Sequence, residues 1–311
     1  MLLDSHSIYV TEPGLWARLW WLLRRSFLNA LDDNCFGIAK AAAYSSLMAF
    51  FPVITTLAAV LVRAHAEQVA HQITELMFDV VPPGTEQIVE TLFKSRGSQP
   101  PWLLVTAIVL ALWAASGVTT TLMEGFRAAY RLPQDRGPVA SRTVAMALVL
   151  CVSLPVIGSC VLILFGQQVS AMMLYWVGLL PEGEELRGGV RVLSNSIGFI
   201  LALGGMVLGT MLLYMIGPNT KVRLREVWPG ALLAAALWMA ATVAFAWYVR
   251  NIANYNVLYG SVAAAIALLG WMYLLNVITL IGCEFNVAVR QLRAISSSPA
   301  VISNTKSTGT R

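Results

Sequence analysis

Few residues in this chain are able to do chemistry, and most of them sit inside or beside long apolar runs. His6, His65 and His71 are the whole imidazole complement. The last two are six apart, which is not the i, i+4 spacing that sets two ligands on one helical face. No Gly-rich phosphate loop, nucleophile elbow or His/Cys/Asp cluster of ligand spacing is present. Hydrolase and nuclease chemistry therefore has almost no residues to carry it, and neither a metal nor a cofactor is expected. The cysteines, Cys35, Cys151, Cys160 and Cys283, form no C-x-x-C pair. On one helix, Cys151 and Cys160 would stand roughly 13 Å apart, too far for a disulfide. All four read as small buried hydrophobes.

The informative polar groups cluster at three places. Asp33 and Asn34 precede Lys40, the small-residue run Ala41-Ala42-Ala43, Tyr44, and then Pro52, whose missing N–H frees a carbonyl. Thr119, Thr120 and Thr121 run into Glu124, Arg127 and Tyr130, where the i, i+3 spacing of Glu124 and Arg127 allows a pair at the membrane border. Asn276, Thr279 and Cys283 trace one stripe that leads to Glu284 and Asn286. An unpaired amide at Asn276 is costly in hydrocarbon, so the stripe must face protein or water. Lys40, Tyr44, Glu124, Arg127, Asn276 and Glu284 are the candidates for cavity-lining or gating groups, and Asp33 and Arg136 for organising the cytoplasmic mouth. Each has a plainer reading, as a kinked packing helix, a solvated helix end or interhelical glue.

The elements that must position these groups follow from composition. Of 311 residues, 58% are hydrophobic and 12% charged, about half the charge of an ordinary soluble domain. A bilayer core about 30 Å thick needs roughly 20 apolar residues as helix. Six stretches qualify, about 37–62, 102–123, 143–166, 194–216, 228–250 and 259–283, which predicts an all-α polytopic membrane bundle. Fifteen of the 21 Lys and Arg fall in the N-terminal segment through Lys40, in 124–142, in 217–227 and in the C-terminal segment from Arg290. The other six are Arg63, Lys94, Arg96, Arg187, Arg191 and Arg250. That segregation orients the chain with both termini on the cytoplasmic side. The net charge of +5 is scattered between apolar spans, so nucleic acid is not an expected partner.

The remaining segments divide the chain into a cytoplasmic stretch 1–32, the spanning domain 33–290 and a disordered tail 291–311 rich in Ser and Thr. No cleavable signal peptide is visible, so the first span is expected to direct insertion. On a helical wheel, 13–31 sets Trp16, Trp20, Leu23, Phe27 and Leu31 on one face and Arg18, Arg25 and Asn29 on the other. The pattern fits an interfacial helix in the headgroup layer, and equally a helix packed on the protein's own cytoplasmic face. Segment 63–101 reads as two short amphipathic helices broken at Pro82-Pro83 on the outside. The second outside loop, 167–193, is partly helical at Val169–Leu180. No internal repeat is evident.

Taken in order, these residues resemble a known family. The run Asp33-Asn34, Ala43-Tyr44-Ser45 and Phe51-Pro52 is similar to the opening signature of the YihY/BrkB family of bacterial inner-membrane proteins. The second half agrees more closely still. It runs from Leu213-Tyr214, Pro218, Lys221-Val222-Arg223 and Pro229-Gly230-Ala231 through Tyr255 and Tyr259-Gly260-Ser261 to Trp271, Tyr273 and Leu280 to Glu284. Glu124 to Arg127 and on to Arg136 resembles the family's loop between second and third helices. Cys283 stands where an alanine-like residue is usual. The resemblance implies a six-helix, multi-pass protein of the bacterial cytoplasmic membrane in which Pro52, Tyr214, Pro218, Gly230, Tyr259 and Gly260 are structural positions. It also implies that a ribonuclease BN label attached to one branch is mistaken. The partners expected are the lipid bilayer, a lipid or small solute carried as substrate, or an envelope protein. A transporter or lipid-translocating permease is the leading expectation, a non-transporting scaffold or serum-resistance (virulence) factor the rival.

Overall fold

The computed structural model describes residues 15–63, 101–133, 137–176, 189–251 and 261–297. Among these residues there are seven helices and no strand: α1 (Leu15–Asp32), α2 (Cys35–Arg63), α3 (Pro101–Ala129), α4 (Pro138–Trp176), α5 (Gly189–Ile216), α6 (Leu224–Asn251) and α7 (Ser261–Ser297). Each of α2 to α7 contains a stretch long and apolar enough to cross a membrane. The chain is a multi-pass membrane protein, all-α as its composition requires. Arg136, Tyr259, Gly260 and the whole of 64–100 lie outside the described residues, as do Cys160's side chain and the tail from 298.

Local chemistry explains where these helices begin and end. Pro101 and Pro138 open α3 and α4, the position where a missing N–H costs nothing. Within the helices, hydroxyls fold back onto carbonyls one turn earlier, as Ser46 does on Ala42, Thr120 on Ser116 and Thr210 on Met206. That hides polar hydrogens from the lipid. Among the described residues, three that are not glycine adopt left-handed backbone, Asn34, Arg131 and Asn219, and each lies just past a helix. After α3, the N–H of Leu132 reaches the Arg127 carbonyl and that of Arg131 the Ala128 carbonyl, the double bond of a Schellman ending. Between α1 and α2, the Asn34 carbonyl accepts from Gly37 and Ile38 while its amide lies over Gly37, where a side chain would collide with it.

The bundle is built around α7. Half of its spanning segment is buried, against at most 28% for any other span, and it packs on α1, α2, α3 and α6. Glycines allow the closest approach. A Cβ on Gly230 of α6 would strike the carbonyl oxygen of Gly282 on α7, and one on Gly125 of α3 would strike Leu280. The outer surface is the reverse of a soluble protein's. Trp102, Leu154, Ile200, Val243 and Trp247 all face outward, a belt that only hydrocarbon covers without cost.

Several expectations change. Helix α4 continues unbroken to Trp176, so Val169–Trp176 is a continuation of that helix rather than a separate one. Helix α7 runs to Ser297, so residues 291–297 belong to it and not to a disordered tail; Arg290 and Arg293 anchor that extension on α6. Cys151 is exposed on the lipid side of α4, while Cys35 and Cys283 are buried. One face of helix α1 packs on the protein and the other is left exposed. Leu22, Ser26, Asn29 and Ala30 are buried, with Leu22 against Phe285 and Ala288 of α7, while Trp16 and Trp20 stay 86% and 72% exposed. Asn29, assigned to the polar outer face, turns into the protein because a carboxyl group awaits it there.

Candidate functional site

That carboxyl group is Glu284, in the last third of α7. Its side chain is fully buried. Cys35, at the start of α2, donates its S–H to Glu284 Oε1 at 3.7 Å, and the side chains of Asn29 and Asp33 face the same carboxyl. Glu284 Oε2 has no hydrogen-bond partner. The constellation exists because the tight α1–α2 turn at Asn34 brings Asp33 and Cys35 over the end of α7 together. Two carboxyl groups thus face each other at this site, and among the described residues no cationic side chain pairs with Glu284. Among the described residues, no three His, Cys, Asp or Glu side chains group as metal ligands.

One to two turns toward the middle of the membrane, the stripe on α7 is spent on its neighbours. Asn276 Nδ2 donates to Ser46 Oγ of α2 at 3.2 Å and to the Met272 carbonyl at 2.8 Å. Tyr214 of α5, fully buried, donates to the Thr279 carbonyl at 2.6 Å and meets Phe126 edge-on, with ring centres 5.5 Å apart. On the other side of Glu284, Asn286 Oδ1 accepts the Gly230 N–H at 2.7 Å. Its Nδ2 is buried without a partner. These bonds give both resemblance positions a structural role: Tyr214 joins α5 to α3 and α7, and Gly230 sits where α6 meets α7. Pro218 is buried just beyond α5, and Pro52 is half-buried within a continuous α2.

The remaining candidates do not join this constellation. Lys40, Tyr44 and Glu124 all face outward, Tyr44 with 62% of its surface exposed. Arg127 donates to Ser141 Oγ of α4 at 3.0 Å, and no ion pair links it to Glu124. The half-buried Tyr130 has its hydroxyl pushed up from its ordinary pKa, chiefly by burial, so it stays neutral beside Arg290 and Glu226. Arg290 reaches Glu226 at 3.9 Å. Asn29, Cys35 and Asn286 were not among the expected site residues. A signal for Asn29 existed, since it breaks an otherwise Leu- and Trp-rich stretch; nothing in the local sequence marks Cys35.

The family can now be stated on more than resemblance. A family model described as virulence factor BrkB matches residues 26–301. The chain belongs to that family. Its match begins within α1 and takes in every span, so the Asn29–Asp33–Cys35–Glu284 constellation lies wholly inside the BrkB region. Among similar proteins, a Bacillus subtilis (strain 168) protein bearing a ribonuclease-like name, YfkH, is 26% identical over 83% of this chain and 92% of its own length. A UPF0761 membrane protein of Legionella pneumophila (strain Corby) is 27% identical over 83% of this chain. The chain spans only 59% of that protein's length. A UPF0761 membrane protein of Vibrio campbellii is 25% identical over 98% of this chain and 92% of its own. No solved structure matches the chain.

Proposed function

We propose that this BrkB-family protein is a permease, moving a lipid or a small solute across the bacterial cytoplasmic membrane with both its termini on the cytoplasmic side. It is not read as an enzyme, and a relative's ribonuclease-like name does not extend to it. One observation supports transport above the others: Glu284 is a carboxyl group wholly inside a membrane bundle, with one oxygen unpartnered and a second carboxyl, Asp33, facing it. Ionisable groups within spans are expensive and usually mark an ion or substrate path. In this reading Glu284 and Asp33 line one end of the path, Asn276 lines it deeper in, and Lys40, Tyr44, Glu124 and Arg127 guide an amphiphile along its outer flank. The test is flux of lipid probes and small solutes in liposomes containing the full chain. Wild-type flux that Glu284→Gln abolishes is the expected result, and a silent wild type across a broad panel would sink the reading.

The scaffold reading also has an observation of its own. Asn276 donates to Ser46 of α2 and Tyr214 donates to the Thr279 carbonyl of α7, as a bundle held rigid for a partner would require. A partner pulldown that survives every spanning substitution and is lost on deleting 64–100 would favour it.

A further inference from the structure

Arg142 lies near the start of α4, and at the level of sequence it counts as one more cation flanking a span. Its head does something else. Nη2 donates to the Trp113 carbonyl of α3 at 2.7 Å, and the guanidinium carbon lies 4.5 Å from the centre of the Trp113 ring. Nη1 is 3.6 Å from where a Cβ would stand on Gly117. Gly117 is seven residues along α3 from Glu124, so the cation sits roughly 10 Å below the last acidic group of that helix. The side chain points into the hydrocarbon layer rather than out of it, opposite to the snorkelling expected of a cation near a span's end.

A charge at that depth needs a counter-charge, and no carboxylate pairs with it among the described residues. One carbonyl and one ring face hold the guanidinium, and Nε is buried with no hydrogen-bond partner. The Trp113 carbonyl also accepts Ser116 Oγ at 2.7 Å, so the acceptor side of the contact is already crowded. With Nε sealed off, what is left is the end-on pair of Nη donors, Nη1 and the second hydrogen of Nη2, held under the Trp113 ring beside the small Gly117 and next to a tryptophan that is 57% exposed. Such a pair matches two oxygens of a phosphate or carboxylate.

We infer that Arg142, Trp113 and Gly117 form an anion site between α3 and α4, open to the bilayer and built for a phosphate-type group. The group is either the headgroup of an anionic phospholipid or a free phosphate. The inference rests on the permease reading only for its purpose, since the site would supply the substrate's chemical class; binding itself is independent of transport.

The test uses the full chain in detergent, with two probes. Native mass spectrometry follows retention of added phosphatidylglycerol against phosphatidylcholine, and thermal unfolding follows protection by inorganic phosphate. A lipid source predicts preferential retention of phosphatidylglycerol that Arg142→Gln weakens about tenfold or more, the loss of a charge-assisted bond. A free-anion source predicts phosphate protection that Arg142→Gln removes. In both cases Arg142→Lys retains part of the effect, and Trp113→Leu, which keeps the carbonyl but loses the ring, weakens it. These two variants keep the test decisive where Arg142→Gln does not fold. If the foldable variants all bind both probes as the wild type does, or the wild type shows neither effect, the anion site is wrong. Flux that persists with unchanged binding in Arg142→Gln refutes this site alone, whereas anion binding without flux refutes the permease reading alone.

Discussion

Tyr214 shows how much a single side chain settles in this bundle. Its hydroxyl reaches past its own helix to the Thr279 carbonyl, and a Cβ on Gly282 would run into it. Interhelical hydrogen bonds in membranes average about 0.6 kcal/mol and reach about 1.7. Tyr214→Phe is therefore expected to lower stability by about 1 kcal/mol, read as a modest fall in the thermal unfolding midpoint of the purified protein. Gly230 is less forgiving, because its neighbour is the backbone of Gly282 rather than a movable side chain. Gly230→Ala is expected to cost about 1–3 kcal/mol by overpacking, measured in the same unfolding experiment. A midpoint equal to wild type would mean that α6 and α7 do not touch there.

Helix ends and breaks carry the second set of consequences. Pro229 lies inside α6 and lacks the N–H that would bind the Arg225 carbonyl; Arg293 of α7 takes that carbonyl at 3.1 Å instead. Arg293→Gln should thus destabilise the protein that has Pro229 and be nearly silent once Pro229→Ala restores the helix's own bond. A double-mutant cycle reads this as a coupling, and additive effects would refute it. Arg131 closes α3 in left-handed backbone, a conformation that costs a non-glycine residue roughly 1–2 kcal/mol. Arg131→Gly should accordingly raise the unfolding midpoint. Helix α1 makes a prediction about surroundings. Its protein-facing residues meet the turns of α7 that carry Arg290 and Arg293, while Trp16, Trp20 and Phe27 stay uncovered beside the exposed Arg18, Arg24 and Arg25. A fluorophore placed on Trp20→Cys in vesicles should be quenched by lipid-borne quenchers and shielded from iodide; the opposite pattern would place that face in water.

At the scale of the molecule, the lipid belt decides which thiols react. Cys151 is exposed but on the hydrocarbon side, while Cys35 and Cys283 are enclosed. In membranes of a Cys160→Ser variant, an apolar thiol reagent should modify Cys151 and a charged, membrane-impermeant one should not. The charged reagent should reach all three only after unfolding in denaturant. Modification of native Cys151 by the charged reagent would place that face of α4 beside water.

Long apolar runs make the six spans unavoidable, because backbone N–H and C=O groups in hydrocarbon must bond within the segment and only a helix of about 20 residues does so. Residue order alone was therefore enough for the fold class, for the burial of Asn276 and for the family. It was not enough to choose among the polar candidates. Glu284 and Glu124 are both acids at the end of an apolar run, yet one is sealed inside α7's contacts with α1 and α2 and the other faces outward. Asn29 and Cys35 become partners of Glu284 only because the Asn34 turn folds α1 back across α7. Arg142 turns from a flanking charge into an intramembrane one because Trp113 and Gly117 of a neighbouring helix receive it. Hydrophobicity is a sum over neighbours in the chain and is legible in one dimension. Which face of each helix meets which other depends on contacts between residues far apart in sequence, and only the tertiary structure supplies those.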